Sequence, residues 1–514
     1  MSSSKFVELA EIFQDRMILQ RGKPVKVWGT SAKAQTLTVL LDGEKICEVE
    51  VSAGEFVLML PAQEAAEDRT LTISNGEGES VALRNVDFGE VWIAGGQSNM
   101  EFALLTERNG DAVIAAADDA HFRYYEVGKY AFEGEREEHL KVDHRWNHWR
   151  RFVTDECTHF SAVATYYAME LRKELQVPVG IIGCCWGGTT ASTWMDEKLV
   201  REDPELKVYT DTYDKDTANL NLEKYIKSDR KNRAFMGSEK NTVGAEQVMK
   251  NEVTAPMKFP MRQIMQIMIR MQKLGPHSEN RPGGLYQTMV KKIGGYSAKG
   301  VIWYQGESDD HHPDLYARLF AKMIGCWRGL WQDELPFLFV QLAPWEEWNS
   351  MTGVNYPKVR DQQQYVEDHV PGTHMVSIMD AGSRYDIHPK DKTPVGHRLC
   401  LMALEEVYGM PQAYAHAPRI AKAQRSGNLI TLTFRYAEGG LRADGDISGL
   451  FAVTQNGKAI AVSAAVNGEQ VILTCSGLQE GKAEVSFAYV PYLKMNLFNQ
   501  GGLPARPLAP TEVL

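Results

Sequence analysis

Continuous apolar runs that end in glycine-rich or polar segments constrain most strongly how this chain can fold. Residues 91–94, 177–182 and 300–304 are such runs, and segments with helical periodicity lie between them. Strands that are apolar along their whole length are buried on both faces, which is typical of parallel sheets covered by helices. The sequence therefore predicts an α/β protein with a central α/β/α domain built on a parallel sheet.

Both ends of the chain carry a different, β-rich pattern. Before about residue 88, short alternating runs are separated by turn dipeptides such as Asp42-Gly43, and after about residue 412 the dipeptides Asn456-Gly457 and Asn467-Gly468 predict two hairpins. A chain of 514 residues also exceeds the usual size of one domain. We therefore predict a β-sandwich module over 1–88, the α/β domain over 89–412 and a C-terminal β-rich region over 413–514.

A charged, helical insertion interrupts the predicted α/β domain at about residues 201–285. Methionines recur in it at helical spacing, and a helix that covers apolar surface is a better explanation than a cofactor or partner site. These residues are Met257, Met261, Met265, Met268 and Met271.

Composition excludes several classes of protein. The net charge of −11 argues against nucleic-acid binding, and no run approaches the roughly 20 apolar residues of a membrane helix. No secretory signal precedes the first strands, and seven scattered cysteines are typical of free thiols in a reducing compartment. We therefore expect a cytoplasmic protein, or a secreted one if a leader is missing from this sequence. No CxxC or HExxH pattern indicates a metal site.

Ser98 is the candidate nucleophile. It follows a buried strand and two glycines, Gly95 and Gly96, at the carboxyl edge where open α/β sheets place their sites. Asp386-Ile387-His388 lies far downstream, in a predicted loop. Because a serine hydroxyl needs an imidazole to take its proton, and the imidazole needs a carboxylate to orient it, these residues could form a Ser-His-Asp triad.

Two glycine-containing strand ends could stabilise an oxyanion. Gly187 and Gly188 follow one strand and can direct backbone N–H groups at a developing negative charge, together with the N–H of Ser98. Gln305 follows another strand, and its side-chain amide could donate a further hydrogen bond.

Four ordered motifs resemble blocks of the SGNH (GDSL-like) hydrolase superfamily, within its sialate O-acetylesterase and acetylxylan-esterase-related group. They are VWIAGGQSNMEF, WGGTTASTW, KGVIWYQGES and DIHPKDKTPVGHRL. The resemblance implies a serine esterase that removes acetyl groups from a sugar or oligosaccharide and uses no cofactor or metal. It implies Ser98 as nucleophile, His388 as base with Asp386 as its partner, and an oxyanion hole from Gly187 or Gly188 with Gln305.

Five further residues are expected to bind the substrate: Gln97, Asn99, Trp186, Glu307 and Arg384. Trp194, Trp303 and Trp345 are either further sugar platforms or core residues. Arg384 could pair with the carboxylate of a sialic acid, whereas a neutral plant glycan such as acetylated xylan would need only aromatic faces and neutral hydrogen bonds.

The chain departs from the resemblance at two positions. The group usually has asparagine where this chain has Asp309, which is expected to shape the pocket, and the DxH spacing leaves Asp380 as an alternative to Asp386. Two other functions stay open: a metal-dependent hydrolase that uses Asp309, His311 and His312, and a carbohydrate-binding protein on an inactive hydrolase scaffold. The oligomeric state is not predicted.

Overall fold

The computed structural model describes residues 6–133, 146–236, 249–255, 274–348 and 351–514. The predicted methionine-rich helix falls on residues 256–273 and so lies outside the described residues. The chain divides into two compact units. The first comprises Met1–Gln247, Lys273–Trp303 and Lys322–Phe337, and the second comprises Val248–Gln272, Tyr304–Ala321 and Leu338–Leu514.

Strands and helices alternate through the middle of the chain, and strands dominate both ends, so the predicted α/β class is confirmed. The strands up to residue 304 are Val7–Leu9, Ile18–Gln20, Val25–Ser31, Gln35–Leu41, Glu44–Val51, Gly54–Leu60, Ala66–Asn75, Ser80–Gly96, Asp118–Glu126, Trp149–Val153, Val179–Cys185 and Gly300–Tyr304. The later strands are Phe337–Val340, Glu347–Trp348, Met351–Thr352, Thr373–Val376, Arg419–Ser426, Leu429–Arg435, Leu441–Ala443, Phe451–Gln455, Lys458–Asn467, Gln470–Ser476, Ala483–Phe487, Leu497–Asn499 and Leu508–Val513.

The helices lie mostly between residues 98 and 406. The α-helices are Ser98–Glu101, Gly110–Ala115, Ala162–Leu175, Glu197–Arg201, Lys207–Thr217, Leu222–Met236, Lys291–Ile293, Tyr316–Trp331, Tyr356–His369 and Thr393–Glu406. Short 3-10 turns occupy Leu104–Thr106, Ala191–Trp194, Glu307–Asp309, Pro313–Leu315 and Ser448–Leu450, and Tyr286–Val290 forms one π-helical turn. Within the described residues, no helix combines the length and the apolar character that crossing a bilayer requires.

One long strand, Ser80–Gly96, organises the first unit. Its early residues pair antiparallel with Ala66–Asn75, and its later residues pair parallel with Val179–Cys185, so that Gly96 lies opposite Cys185. The predicted domain boundary at residues 88 and 89 therefore falls inside one continuous strand. The division into 1–88, 89–412 and 413–514 stays a prediction.

The parallel part of the first unit is buried as the apolar runs predict. In spatial order the strands are Asp118–Glu126, Val179–Cys185, Ser80–Gly96 and Gly300–Tyr304, and Trp149–Val153 pairs antiparallel with the outer edge of Asp118–Glu126. All seven residues of Val179–Cys185 are buried. The preceding helix, Ala162–Leu175, is capped by Ser161, whose hydroxyl accepts a hydrogen bond from the Ala164 N–H at 3.1 Å.

A seven-stranded antiparallel sheet dominates the second unit, in the order Arg419–Ser426, Leu429–Arg435, Gln470–Ser476, Lys458–Asn467, Phe451–Gln455, Ala483–Phe487, Leu508–Val513. Alternate residues of its strands form an apolar core that includes Leu432, Val453, Leu473, Val485 and Phe487. The predicted hairpin at Asn456-Gly457 is confirmed, with φ values of 51° and 71° that suit a tight turn between right-twisted strands. All seven cysteines are free thiols, and five of them are buried.

Candidate active site

Ser98 lies at the carboxyl edge of the parallel strands, as predicted. It is the first residue of the helix Ser98–Glu101, which begins two residues after the strand Ser80–Gly96 ends. Gly96 has φ of 132°, a conformation that only glycine adopts without strain, so the chain can turn sharply there. Gln97 and Asn99 are buried on either side, whereas Ser98 is partly exposed. The turn therefore presents the serine and buries its neighbours.

A cluster of indole rings supports the strand end that carries this turn. A Cβ atom added to Gly95 would lie 2.8 Å from the ring of Trp303, so the strand and the ring are in close contact. Trp303 packs edge-to-face against Trp194 and Trp327, at 6.2 and 5.7 Å between centroids, and the Trp327 indole N–H donates to the Trp194 carbonyl at 2.7 Å. Trp194 and Trp303 are therefore core residues, and Trp345 is also buried in the second unit.

Gly187 lies against Ser98 in the first unit. A Cβ atom added to Gly187 would be 3.1 Å from the Ser98 Cβ, which explains why the sequence has a glycine there. The Gly187 N–H donates to the Glu101 carboxylate at 2.6 Å, and the second oxygen of that carboxylate pairs with the Lys129 ammonium. Gly188 has φ of 74° and is exposed. Of the predicted oxyanion donors, Gly187 thus lies beside the serine, but its N–H already has an acceptor.

Lys129 also contacts two aromatic rings. Its ammonium lies 5.4 Å from the ring centroid of Trp146 and 5.6 Å from that of Trp186, within the range of cation–π attraction. Trp186 is only partly exposed. Sequence reasoning missed Lys129, because no motif surrounds it. It also missed Glu101, although Glu101 stands three residues after Ser98 in the same motif.

Gln305 is fixed by hydrogen bonds within the second unit. Its amide nitrogen donates to the Asp309 carboxylate at 2.5 Å, and its side-chain and main-chain oxygens accept from the Tyr316 hydroxyl at 3.2 and 2.9 Å. Gln305 is fully buried, and Glu307 is nearly so. An amide nitrogen carries two hydrogens, and the bond to Asp309 uses one of them. Asp309, which stands where the resembling group usually has asparagine, therefore orients the side-chain amide of Gln305, the predicted oxyanion donor.

The Asp386–His388 segment forms a turn held by polar contacts. The Asp386 carboxylate accepts the His388 backbone N–H at 2.9 Å and pairs with the Lys390 ammonium at 2.9 Å, and both charged side chains are buried. Within the described residues, the partners of Asp386 are thus a backbone N–H and an ammonium rather than the imidazole. Asp380, the alternative, binds Arg398 with both oxygens at 2.7 Å. The carboxylate partner of the imidazole stays a prediction.

Burial lowers the pKa of His388 well below its ordinary value of 6.5, and the positive charges of Lys390 and Lys392 lower it further. The Trp348 ring stands edge-to-face on the imidazole, with 5.5 Å between centroids. The imidazole is therefore neutral at neutral pH, which is the state that a general base requires.

Arg384 stands on the exposed side of the same loop. Its guanidinium forms an ion pair with Glu346, and it lies 5.9 and 5.5 Å from the ring centroids of Tyr385 and Tyr492. About half of the side chain is exposed. Arg384 could therefore reach a ligand carboxylate from solvent, whereas the buried Arg398 could not.

Metal-ligating side chains converge elsewhere. Within the described residues, the group with ligand atoms close enough for one ion comprises Asp68, Asp87 and His121. The buried Asp87 oxygen contacts the His121 ring at 2.7 Å and the Arg123 guanidinium at 2.8 Å. The guanidinium therefore already supplies the positive charge that a metal ion would bring to this carboxylate. Asp309 belongs to no such group in that part of the chain.

Comparisons with known proteins agree with this architecture. A family model described as carbohydrate esterase, sialic acid-specific acetylesterase, matches residues 241–403. The sialate O-acetylesterase of Mus musculus is 25% identical over 464 residues, which cover 83% of this chain and 78% of that protein. The sialate O-acetylesterase of Homo sapiens is 25% identical over 461 residues, which cover 83% of this chain and 76% of that protein. The crystal structure of a carbohydrate acetylesterase from Xanthomonas citri superimposes with a TM-score of 0.74 at 26% identity, and covers 98% of this chain and 99% of that one.

The fold, the serine at the carboxyl edge of the sheet and these matches define an esterase. The family model over residues 241–403, the curated relatives and the solved structure confirm the resemblance to sialate O-acetylesterases that the four motifs indicate.

Proposed function

We propose that this esterase hydrolyses acetyl esters on sugars, with Ser98 as nucleophile and His388 as general base, and that acetylated sialic acids are its substrate class. The observation that carries the mechanism is the placement of Ser98: a partly exposed serine after a glycine turn, with Gly187 against it. The substrate class rests on the names of the relatives that align with most of the chain.

The first chemical step is acylation. His388 takes the hydroxyl proton of Ser98 as the serine oxygen bonds to the acetyl carbon, and the carbonyl oxygen becomes an oxyanion. Backbone N–H groups at Ser98 and the Gly187–Gly188 turn, together with the Gln305 amide, stabilise that charge. The ester bond then breaks, and the imidazolium gives its proton to the departing sugar oxygen.

Deacylation repeats these roles with water as the nucleophile. His388 takes a proton from water as the water oxygen bonds to the acetyl carbon, and the Ser98 oxygen leaves and regains a proton from the imidazolium. The products are acetate and the free serine. Asp386 is the proposed carboxylate that positions the imidazole, because it accepts the His388 backbone N–H.

Acetate release from a simple acetyl ester and from 9-O-acetylated sialic acid tests the proposal. Ser98→Ala and His388→Ala are each expected to lower kcat by at least about a thousandfold, because the nucleophile and the base act as one unit. Ser426→Ala and His369→Ala are matched controls, since both residues are exposed and lie in other elements.

Thermal unfolding of all four variants shows whether a variant loses activity because a catalytic group is missing or because the protein is no longer folded. Substantial turnover by folded Ser98→Ala would overturn the assigned nucleophile. Acetate release from acetylated xylan, but not from the sialic acid, would overturn the substrate class and leave the esterase intact.

A further inference from the structure

The peptide bond between Trp186 and Gly187 is held by a side chain of the helix that carries the proposed nucleophile. Glu101 is the last residue of the helix Ser98–Glu101, and its carboxylate accepts the Gly187 N–H at 2.6 Å. A Cβ atom added to Gly187 would lie 3.4 Å from the same carboxylate oxygen and 3.1 Å from the Ser98 Cβ. The carboxylate, the glycine and the serine are therefore packed together within the first unit.

The contact is a charge-assisted one. Lys129 neutralises the carboxylate through its other oxygen. Burial lowers the pKa of Lys129, but the charge and hydrogen bond of Glu101, together with the charges of Cys185 and Glu126, outweigh burial and leave that pKa above its ordinary value, so the ammonium stays charged. Hydrogen bonds from a neutral N–H to a carboxylate are shorter and stronger than those between neutral groups. Glu101 therefore fixes the orientation of the Gly187 peptide more firmly than a turn alone would.

We propose that Glu101 is a positioning residue for acyl transfer: it engages the Gly187 N–H, so that Gly188 rather than Gly187 supplies the second backbone donor to the oxyanion. This inference rests on the proposed function. Gly188 directly follows the fixed peptide, has φ of 74° and lies at the surface. Successive N–H groups in such turns form concave anion sites.

Steady-state kinetics of Glu101→Ala on an acetyl ester test the proposal. We expect kcat to fall at least about tenfold, less than the loss of a whole oxyanion donor, with KM changed by about twofold or less, because the oxyanion exists only near the transition state. Glu101→Gln combined with Lys129→Met retains an acceptor for the Gly187 N–H and removes both charges together. This double variant is expected to regain most of the kcat lost in Glu101→Ala. If Glu101 acted only through its charge, the double variant would stay as slow as Glu101→Ala.

Glu197→Ala is the matched control, since Glu197 belongs to an exposed ion pair with Arg201 in the same unit. A rise in kcat in Glu101→Ala would mean that Glu101 blocks Gly187 as a donor, and it would overturn the inference. Unchanged kcat with inactive Ser98→Ala would also overturn it and leave the proposed function standing. An inactive wild-type protein, or an active Ser98→Ala variant, would instead overturn the proposed function.

Discussion

The two regions that carry the predicted nucleophile and base are built by different forces. The Ser98 turn follows directly from a buried strand, and Gly95, which leaves no room for a Cβ, packs the end of that strand against the Trp303 ring. The His388 turn lies in residues 381–392, which form no helix or strand, and the buried ion pair of Asp386 with Lys390 and the hydrogen bond from the His388 N–H to Asp386 hold it. The comparison indicates that the first region should be sensitive to added volume and the second to lost charge.

Removal of Asp386 is expected to have the largest effect on stability. Asp386→Ala deprives the buried Lys390 of its carboxylate and the His388 N–H of its acceptor, so the free energy of unfolding should fall by about 3–5 kcal/mol. Urea denaturation measures the change. Asp314→Ala, which removes an exposed ion pair with Lys358, should cost about 1 kcal/mol or less. Equal losses in both variants would contradict the proposed dependence of the His388 loop on charge.

Added volume at Gly95 tests the other region. The Cβ of Gly95→Ala would meet the Trp303 ring at 2.8 Å, and the crowded indole cluster should cost about 1–3 kcal/mol of stability, with loss of turnover as Ser98 shifts. Gly325→Ala is the control, because its Cβ meets nothing within 4 Å on an exposed helical face and should stabilise by roughly 0.5–1 kcal/mol. A Gly95→Ala protein as stable as wild type would show that packing does not set the Ser98 turn.

The charges around His388 predict a pH dependence. Because the folded pKa is depressed below 6.5, the unfolded chain binds the proton more readily, so this contribution to stability is present above pH 6.5 and is lost as pH falls below it. For the same reason the acid limb of kcat/KM should lie below pH 6.5.

Lys392→Met removes one of the charges that depress this pKa, so the acid limb should move to higher pH. The exposed Lys358 provides the control, and Lys358→Met should leave the limb in place. An acid limb that stays fixed in Lys392→Met would show that the charges near His388 do not set its protonation.

The sequence predicts the fold well where burial alone decides it. Apolar runs predict the parallel strands, and the strand Gly300–Tyr304 has its predicted bounds, because both faces are covered. The predicted boundary at residue 88 falls inside Ser80–Gly96, because local turn signals do not reveal that one strand continues through two kinds of pairing.

For the site, the sequence supplies residue types but not their hydrogen-bond partners. Spacing and resemblance select Ser98, Gln305 and His388 as candidates. The contact between Glu101 and Gly187 joins residues 86 positions apart, and no local pattern encodes such a contact. The partners of Asp386 depend likewise on how a loop closes, which propensities do not determine.

Substitution of Arg384, in the same loop as His388, is expected to have the smallest effect on the free energy of unfolding. Its ion pair with Glu346 is about half exposed, so Arg384→Ala should change the free energy of unfolding by about 1 kcal/mol or less, in contrast to Asp386→Ala. If its guanidinium also meets the carboxylate of a sialic acid, KM for the acetylated acidic sugar should rise severalfold, while KM for a neutral acetyl ester stays unchanged. Equal changes in both KM values would show that Arg384 maintains the conformation of the loop and does not recognise the charge of the substrate.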